Sequence, residues 1–117
     1  MKILLIEDNP DDAFLIQHMS PGNEFVHCVN LKSTLEYLKL KPVDLNLIVM
    51  DLGLPDSQGE MTLDRVLAHA DKTPIIILTG YVSDEIATKA ARASRPILEK
   101  DTLSVQLFSH VVRGVLG

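Results

Sequence analysis

Short apolar runs punctuate the chain at residues 3–6, 25–29, 45–50 and 75–78, with a weaker one at 96–98. Three of them are nearly continuous instead of alternating, the pattern of strands buried on both faces of a parallel sheet. Helical spacing fills the segments between. Leu31, Leu35 and Leu38 fall at i, i+4 and i+7, and Leu63, Val66, Leu67 and Ala70 at i, i+3, i+4 and i+7. Leu103, Leu107 and Val111 continue the pattern near the C-terminus, while residues 13–20 are assigned to a helix by position more than by periodicity. Helix starts are marked by Asn9-Pro10, by Asn30, and by Ser83 followed by Asp84 and Glu85. Five repeats of strand then helix, joined by right-handed crossovers, predict a doubly wound α/β domain with a five-stranded parallel sheet.

A length of 117 residues suits one domain, so residues 1–117 are read as a single unit. Sixteen acidic against eleven basic residues give a net charge of −5, a field that repels phosphate; direct binding to nucleic acid or to an anionic membrane is not expected. No apolar run approaches the roughly 20 residues of a membrane span. The first run turns acidic at Glu7-Asp8, too early for a signal peptide, so the cytoplasm is the expected compartment. Cys28 is the sole cysteine, which excludes an internal disulfide and a zinc cluster and makes it a small buried hydrophobe.

The strand ends carry the chemistry. The first ends in Glu7-Asp8, the third in Asp51, the fourth in Thr79 and the fifth in Lys100. An open parallel α/β sheet binds ligands outside the carboxyl ends of its strands, so topology gathers these residues at one edge. Three carboxylates placed together repel one another, and a hard divalent cation such as Mg²⁺ relieves that cost. Lys100 then offers a compact positive charge, Thr79 a hydroxyl donor and Asp51 a nucleophile: the parts of a phosphoryl-transfer site. Each part has a plainer reading when taken alone. Glu7-Asp8 suits a solvated turn, Asp51 a loop, Thr79-Gly80 turn chemistry, and Lys100-Asp101 a surface ion pair. It is their joint occurrence at four strand ends that points to a site. Asp11 and Asp12 complement the dipole of the first helix and are left outside it. The four histidines (His18, His27, His69 and His110) share no ligand spacing, and Gly53, Gly59 and Gly80 form no phosphate-cradling loop.

The stretches ILLIEDNPDD (3–12), LIVMDLGLPDSQG (47–59), PIIILTG (74–80) and ILEKD (97–101) make the likeness specific. Over nearly its whole length the chain resembles a response-regulator receiver domain of two-component signalling. The resemblance implies the flavodoxin-like strand order 2-1-3-4-5. It makes Asp51 the phosphoacceptor, with Glu7, Asp8, Asp51 and the backbone carbonyl of Gly53 holding Mg²⁺. Thr79 becomes the switch hydroxyl and Lys100 the phosphate-pairing lysine. A sensor histidine kinase or phosphotransfer protein is the implied donor, and a downstream protein or a covalently linked output domain the implied recipient of the signal. No output domain is expected within these residues, and no enzymatic activity beyond phosphorylation and dephosphorylation of the chain's own aspartate. The alternative is a degenerate receiver that binds a partner independently of phosphorylation. A metal-dependent phosphatase fits less well, since Gly53 stands where its second aspartate belongs.

Three features depart from the family pattern. Ile97 occupies the usual aromatic switch position and lacks the hydroxyl for a coupled Tyr–Thr switch. Asp101 follows the lysine in place of proline; a non-proline cis bond costs about 2.5–4 kcal/mol, so this loop is expected to be trans or strained. Ser94-Arg95-Pro96 replaces a Gly-Ala turn, and the interval from Thr79 to Lys100 is about one residue short.

Overall fold

A computed structural model describes residues 1–117. Five strands alternate with five helices: β1 (Lys2–Ile6), α1 (Pro10–Met19), β2 (Glu24–Cys28), α2 (Leu31–Lys39), β3 (Leu47–Met50), α3 (Gly59–Leu67), β4 (Ile75–Thr79), α4 (Asp84–Arg92), β5 (Ile97–Glu99) and α5 (Val105–Leu116). A single 3-10 turn, Lys100–Thr102, joins β5 to α5. All strand pairs are parallel and the order is 2-1-3-4-5, as expected.

The continuous apolar runs have a simple cause. On β1, Leu4 and Ile6 face a core shared with α2, α3 and α4, while Ile3 and Leu5 face a second core shared with α1 and α5. β4 divides the same way, Ile75 and Ile77 against Ile76 and Leu78. Because successive side chains point to opposite faces, a strand covered on both sides must be apolar at every position. Cys28 is buried at the end of β2, as a small hydrophobe should be.

Helix positions hold, with one correction on α5. Leu31, Leu35 and Leu38 are buried, as are Leu63, Val66 and Ala70. On α5 the stripe is displaced by one position: Phe108 and Val112 are the buried residues, Leu107 and Val111 only flank them, and Leu103 precedes the helix. Residues 45 and 46 also fall outside β3. The Asn46 side chain instead accepts a hydrogen bond from the Lys2 amide at 2.7 Å, fixing the turn into the strand. In α1 only Ala13 and Ile16 are buried, while Phe14 and Leu15 are exposed; this explains the weak periodicity there.

The caps act as the sequence suggests. Asn9 Oδ1 accepts from the amides of Asp11 and Asp12, Asn30 Oδ1 from Ser33, and Ser83 Oγ from Ile86. One cap is long-range. The Asp56 carboxylate accepts from the amides of Leu31 and Lys32 at 2.7 and 2.9 Å, tying the loop after β3 to the start of α2. The Leu31 amide in particular holds the Asp56 carboxyl below its ordinary range.

At the end of α4 the backbone closes in a Schellman motif: Ser94 N–H bonds the Ala91 carbonyl and Arg95 N–H the Ala90 carbonyl. Ser94 sits at φ 56°, a left-handed conformation that glycine adopts without steric cost. Ser94→Gly is therefore expected to stabilise the fold by about 1 kcal/mol, the cost of a Cβ in this region. An unchanged or lower urea midpoint would show that the serine is not strained.

Candidate functional site

The carboxyl ends of β1, β3 and β5 converge because their ladders run in register. Ile6 pairs with Met50, and the Asp51 amide then donates to the Ile6 carbonyl at 2.9 Å, placing Glu7 beside Asp51. On the far side Thr79 pairs with Glu99, the residue before Lys100.

Glu7 is 1% exposed and Asp51 8%, while Asp8 is exposed at the rim. Carboxylate oxygens of Glu7, Asp8 and Asp51 lie within 4.8 Å of one another. Lys100 closes the site from the β5 side. Its Nζ donates to Asp51 Oδ2 and to Asp12 Oδ2, each at 2.8 Å. It also approaches Glu7 Oε1 to 2.7 Å, though as an ion pair without a directed hydrogen bond, since this buried oxygen has no hydrogen-bond partner. Asp51 Oδ1 accepts from the Gly53 amide at 3.2 Å, and Glu7 Oε2 from the Asn9 amide at 3.2 Å. The His27 ring donates from Nε2 to the Glu7 carbonyl at 2.7 Å, bracing the backbone that carries the acidic pair.

The sequence-predicted set is thus only partly assembled around one point. Glu7, Asp8, Asp51 and Lys100 meet. Gly53 touches Asp51 through its amide, and Thr79 is buried at the end of β4 without being a partner of either Asp51 or Lys100. Asp12 belongs with them. Assigning it only to the helix dipole was incorrect, because its carboxylate bonds a lysine 88 positions away. Spacing along α1 gave no hint of that contact. Of the departures from pattern, Ile97 is half-buried and packs against the core on the α4 side. No peptide bond is cis, Lys100–Asp101 included.

Electrostatics divide the site in two. Burial works against the Lys100 charge, but its hydrogen bonds to Asp12 and Asp51 and its ion pair with Glu7 outweigh it and hold its pKa above the ordinary lysine value. Burial pushes the Glu7 carboxyl up from 4.5 to about 7; Lys100 and the Asn9 amide oppose the rise, and nearby Asp51 adds to it. Below pH 4.5 both the folded and the unfolded chain keep this proton, and Glu7 costs nothing. Between 4.5 and about 7 the unfolded chain ionises first, so folding is progressively penalised, and above 7 the penalty is complete. At about 1.4 kcal/mol per pKa unit the full penalty is on the order of 3 kcal/mol. Without divalent cations, Glu7→Gln is thus expected to raise the urea midpoint at pH 8 but not at pH 4. An equal gain at both would show that the carboxyl titrates normally.

The donor set suits a hard divalent cation. Three carboxylates supply oxygen ligands, and a buried glutamate oxygen lacks a hydrogen bond. No helix is long and apolar enough to cross a membrane.

Known proteins place this arrangement in a family. Residues 3–111 match the family model described as "Response regulator receiver domain". The cell cycle transcriptional regulator CtrA of Caulobacter vibrioides is 40% identical over 91 residues, covering 76% of this chain and 38% of that protein. The regulatory protein AtoC of Escherichia coli is 29% identical over 97 residues, covering 78% and 20%. The chain therefore spans well under half the length of these relatives. Among solved structures, a CheY-like response regulator receiver domain protein from Methanospirillum hungatei superposes with a TM-score of 0.84 at 19% identity, covering 98% of this chain and 92% of that one. The fold, the acidic cluster beside a strand-end lysine and the match over residues 3–111 together show that the chain belongs to the response regulator receiver domain family of two-component systems.

Proposed function

We propose that residues 1–117 form one receiver unit that accepts a phosphoryl group on Asp51. The observation that carries this reading is the pairing of Asp51 Oδ2 with Lys100 at 2.8 Å beside the Glu7–Asp8–Asp51 cluster. Glu7, Asp8, Asp51 and the Gly53 carbonyl would hold Mg²⁺, which when bound neutralises charge on the phosphoryl oxygens.

The chain's own residues do the rest. An Asp51 carboxylate oxygen attacks phosphorus in line, the bond from phosphorus to the donor's histidine nitrogen or acetyl oxygen breaks, and the leaving group keeps the electron pair. Lys100 steadies the transferred oxygens by charge and position. The Thr79 hydroxyl then donates to the new phosphoryl group and draws the loop after β4 toward it, repacking the face made by α4, β5 and α5. Half-buried Ile97 has no hydroxyl to contribute, so the change is carried by packing. Water later hydrolyses the acyl phosphate, at a rate tuned by the residues two beyond Asp51 and Thr79, Gly53 and exposed Tyr81. The donor is a sensor histidine kinase or phosphotransfer protein in the cytoplasm, and the recipient a partner protein or a linked output domain.

With acetyl phosphate and Mg²⁺, the wild type is expected to gain one phosphoryl mass, and Asp51→Asn or excess chelator to prevent it. A wild type that stays unmodified at saturating donor would leave the receiver as a binding module independent of phosphorylation.

A further inference from the structure

The three carboxylates that hold Lys100 are not equivalent. Glu7 and Asp51 belong to the oxygen cluster that fits a divalent cation, whereas Asp12 lies outside it. Asp51 is also the group that becomes an acyl phosphate in the proposed reaction. Asp12 alone keeps both its charge and its place throughout.

Its mounting suits an anchor. The Asp12 amide bonds Asn9 Oδ1 at 3.1 Å in the first turn of α1, where the helix dipole favours a negative charge. Lys100, by contrast, sits in the short turn after β5 on a flexible four-carbon stem. Beside that stem is a cavity of about 110 Å³ between α1, Leu78 and Leu103, with Asp12 and Lys100 in its wall. The stem thus has open space to relax into once its tether is gone.

We propose that Asp12 is a positioning residue for phosphoryl transfer, anchoring the Lys100 ammonium beside Asp51 while Glu7 and Asp51 turn to the cation and the phosphoryl group. This rests on Asp51 being the phosphoacceptor. Asp11 provides the internal control, since it is a first-turn carboxylate of the same helix that forms no ion pair with Lys100.

The test follows phosphorylation by acetyl phosphate at saturating Mg²⁺ in the wild type, Asp12→Ala, Asp12→Asn and Asp11→Ala. The Lys100 ammonium resonance is recorded in parallel by ¹⁵N-edited spectroscopy. Asp12→Ala is expected to slow the reaction on the order of tenfold, as small misplacements of a charged group do. Its Mg²⁺ affinity stays unchanged and its slowly exchanging ammonium signal is lost. Asp12→Asn, which keeps an acceptor oxygen, restores both rate and signal, and Asp11→Ala matches the wild type. The proposal is overturned by a wild-type rate and intact signal in Asp12→Ala, or by an equal slowing in Asp11→Ala. If the wild type itself takes no phosphoryl group, the function assigned to Asp51 fails and the ammonium signal decides alone. Its persistence in Asp12→Ala then overturns the anchor; its loss there and return in Asp12→Asn sustain it.

Discussion

Lys100→Ala is expected to slow phosphoryl transfer to Asp51 by about 10²–10³-fold, the usual effect of deleting one donor aimed at developing oxyanion charge. The reason lies in the count of charges at the strand ends. One ammonium, with its side chain only 20% exposed, faces three carboxylates at 2.7–2.8 Å. Removing it leaves the buried carboxylates of Glu7 and Asp51 repelling each other. It also deprives an incoming phosphoryl group of its only side-chain cation there. The cation cluster does not include Lys100, so Mg²⁺ affinity should persist or rise. Rates from intact-mass time courses, read beside calorimetric Mg²⁺ titrations, separate the two effects. A wild-type rate in Lys100→Ala would remove the lysine from the chemistry and leave it a structural ion-pair partner.

The second large effect is on stability. Phe108 is 1% exposed and centres the core between the sheet and the α1–α5 side, which has only 11 buried residues. Phe108→Ala should cost about 3–5 kcal/mol through lost burial and an unfilled cavity. Against a typical total of about 5–15 kcal/mol, that is a large share. The expected result is a much lower urea midpoint with an unchanged denaturant slope. A loss under about 1 kcal/mol would mean that α5 does not seal this face as described.

What could be read from the sequence follows from which interactions are local. Runs such as 3–6 and 75–78 carry their own signature, because burial on both faces fills every position with an apolar residue. Capping by Asn9, Asn30 and Ser83 is equally local, reaching two or three residues ahead. Legibility failed where a helix broke its own period or where a contact crossed the fold. Phe14 and Leu15 are apolar yet exposed and blur the stripe of α1, and the leucine pattern near the C-terminus drew attention from Phe108. Asp56 reads as a loop residue until its carboxylate is found on the amides of α2. Asp12 looks like any acidic first-turn residue until the fold brings Lys100 against it. Glu7, Asp8, Asp51 and Lys100 were legible because topology brings their strand ends together, whereas contacts of helix side chains depend on packing that spacing does not reveal.

The central claim is that Asp51 carries the phosphoryl group. Its most direct test is to react the wild type with acetyl phosphate and Mg²⁺, reduce the product with borohydride and map the peptides. An acyl phosphate is reduced where an ordinary carboxylate is not, so reduction at position 51 alone is the expected result. A modification at any other residue, or none at all, would contradict it.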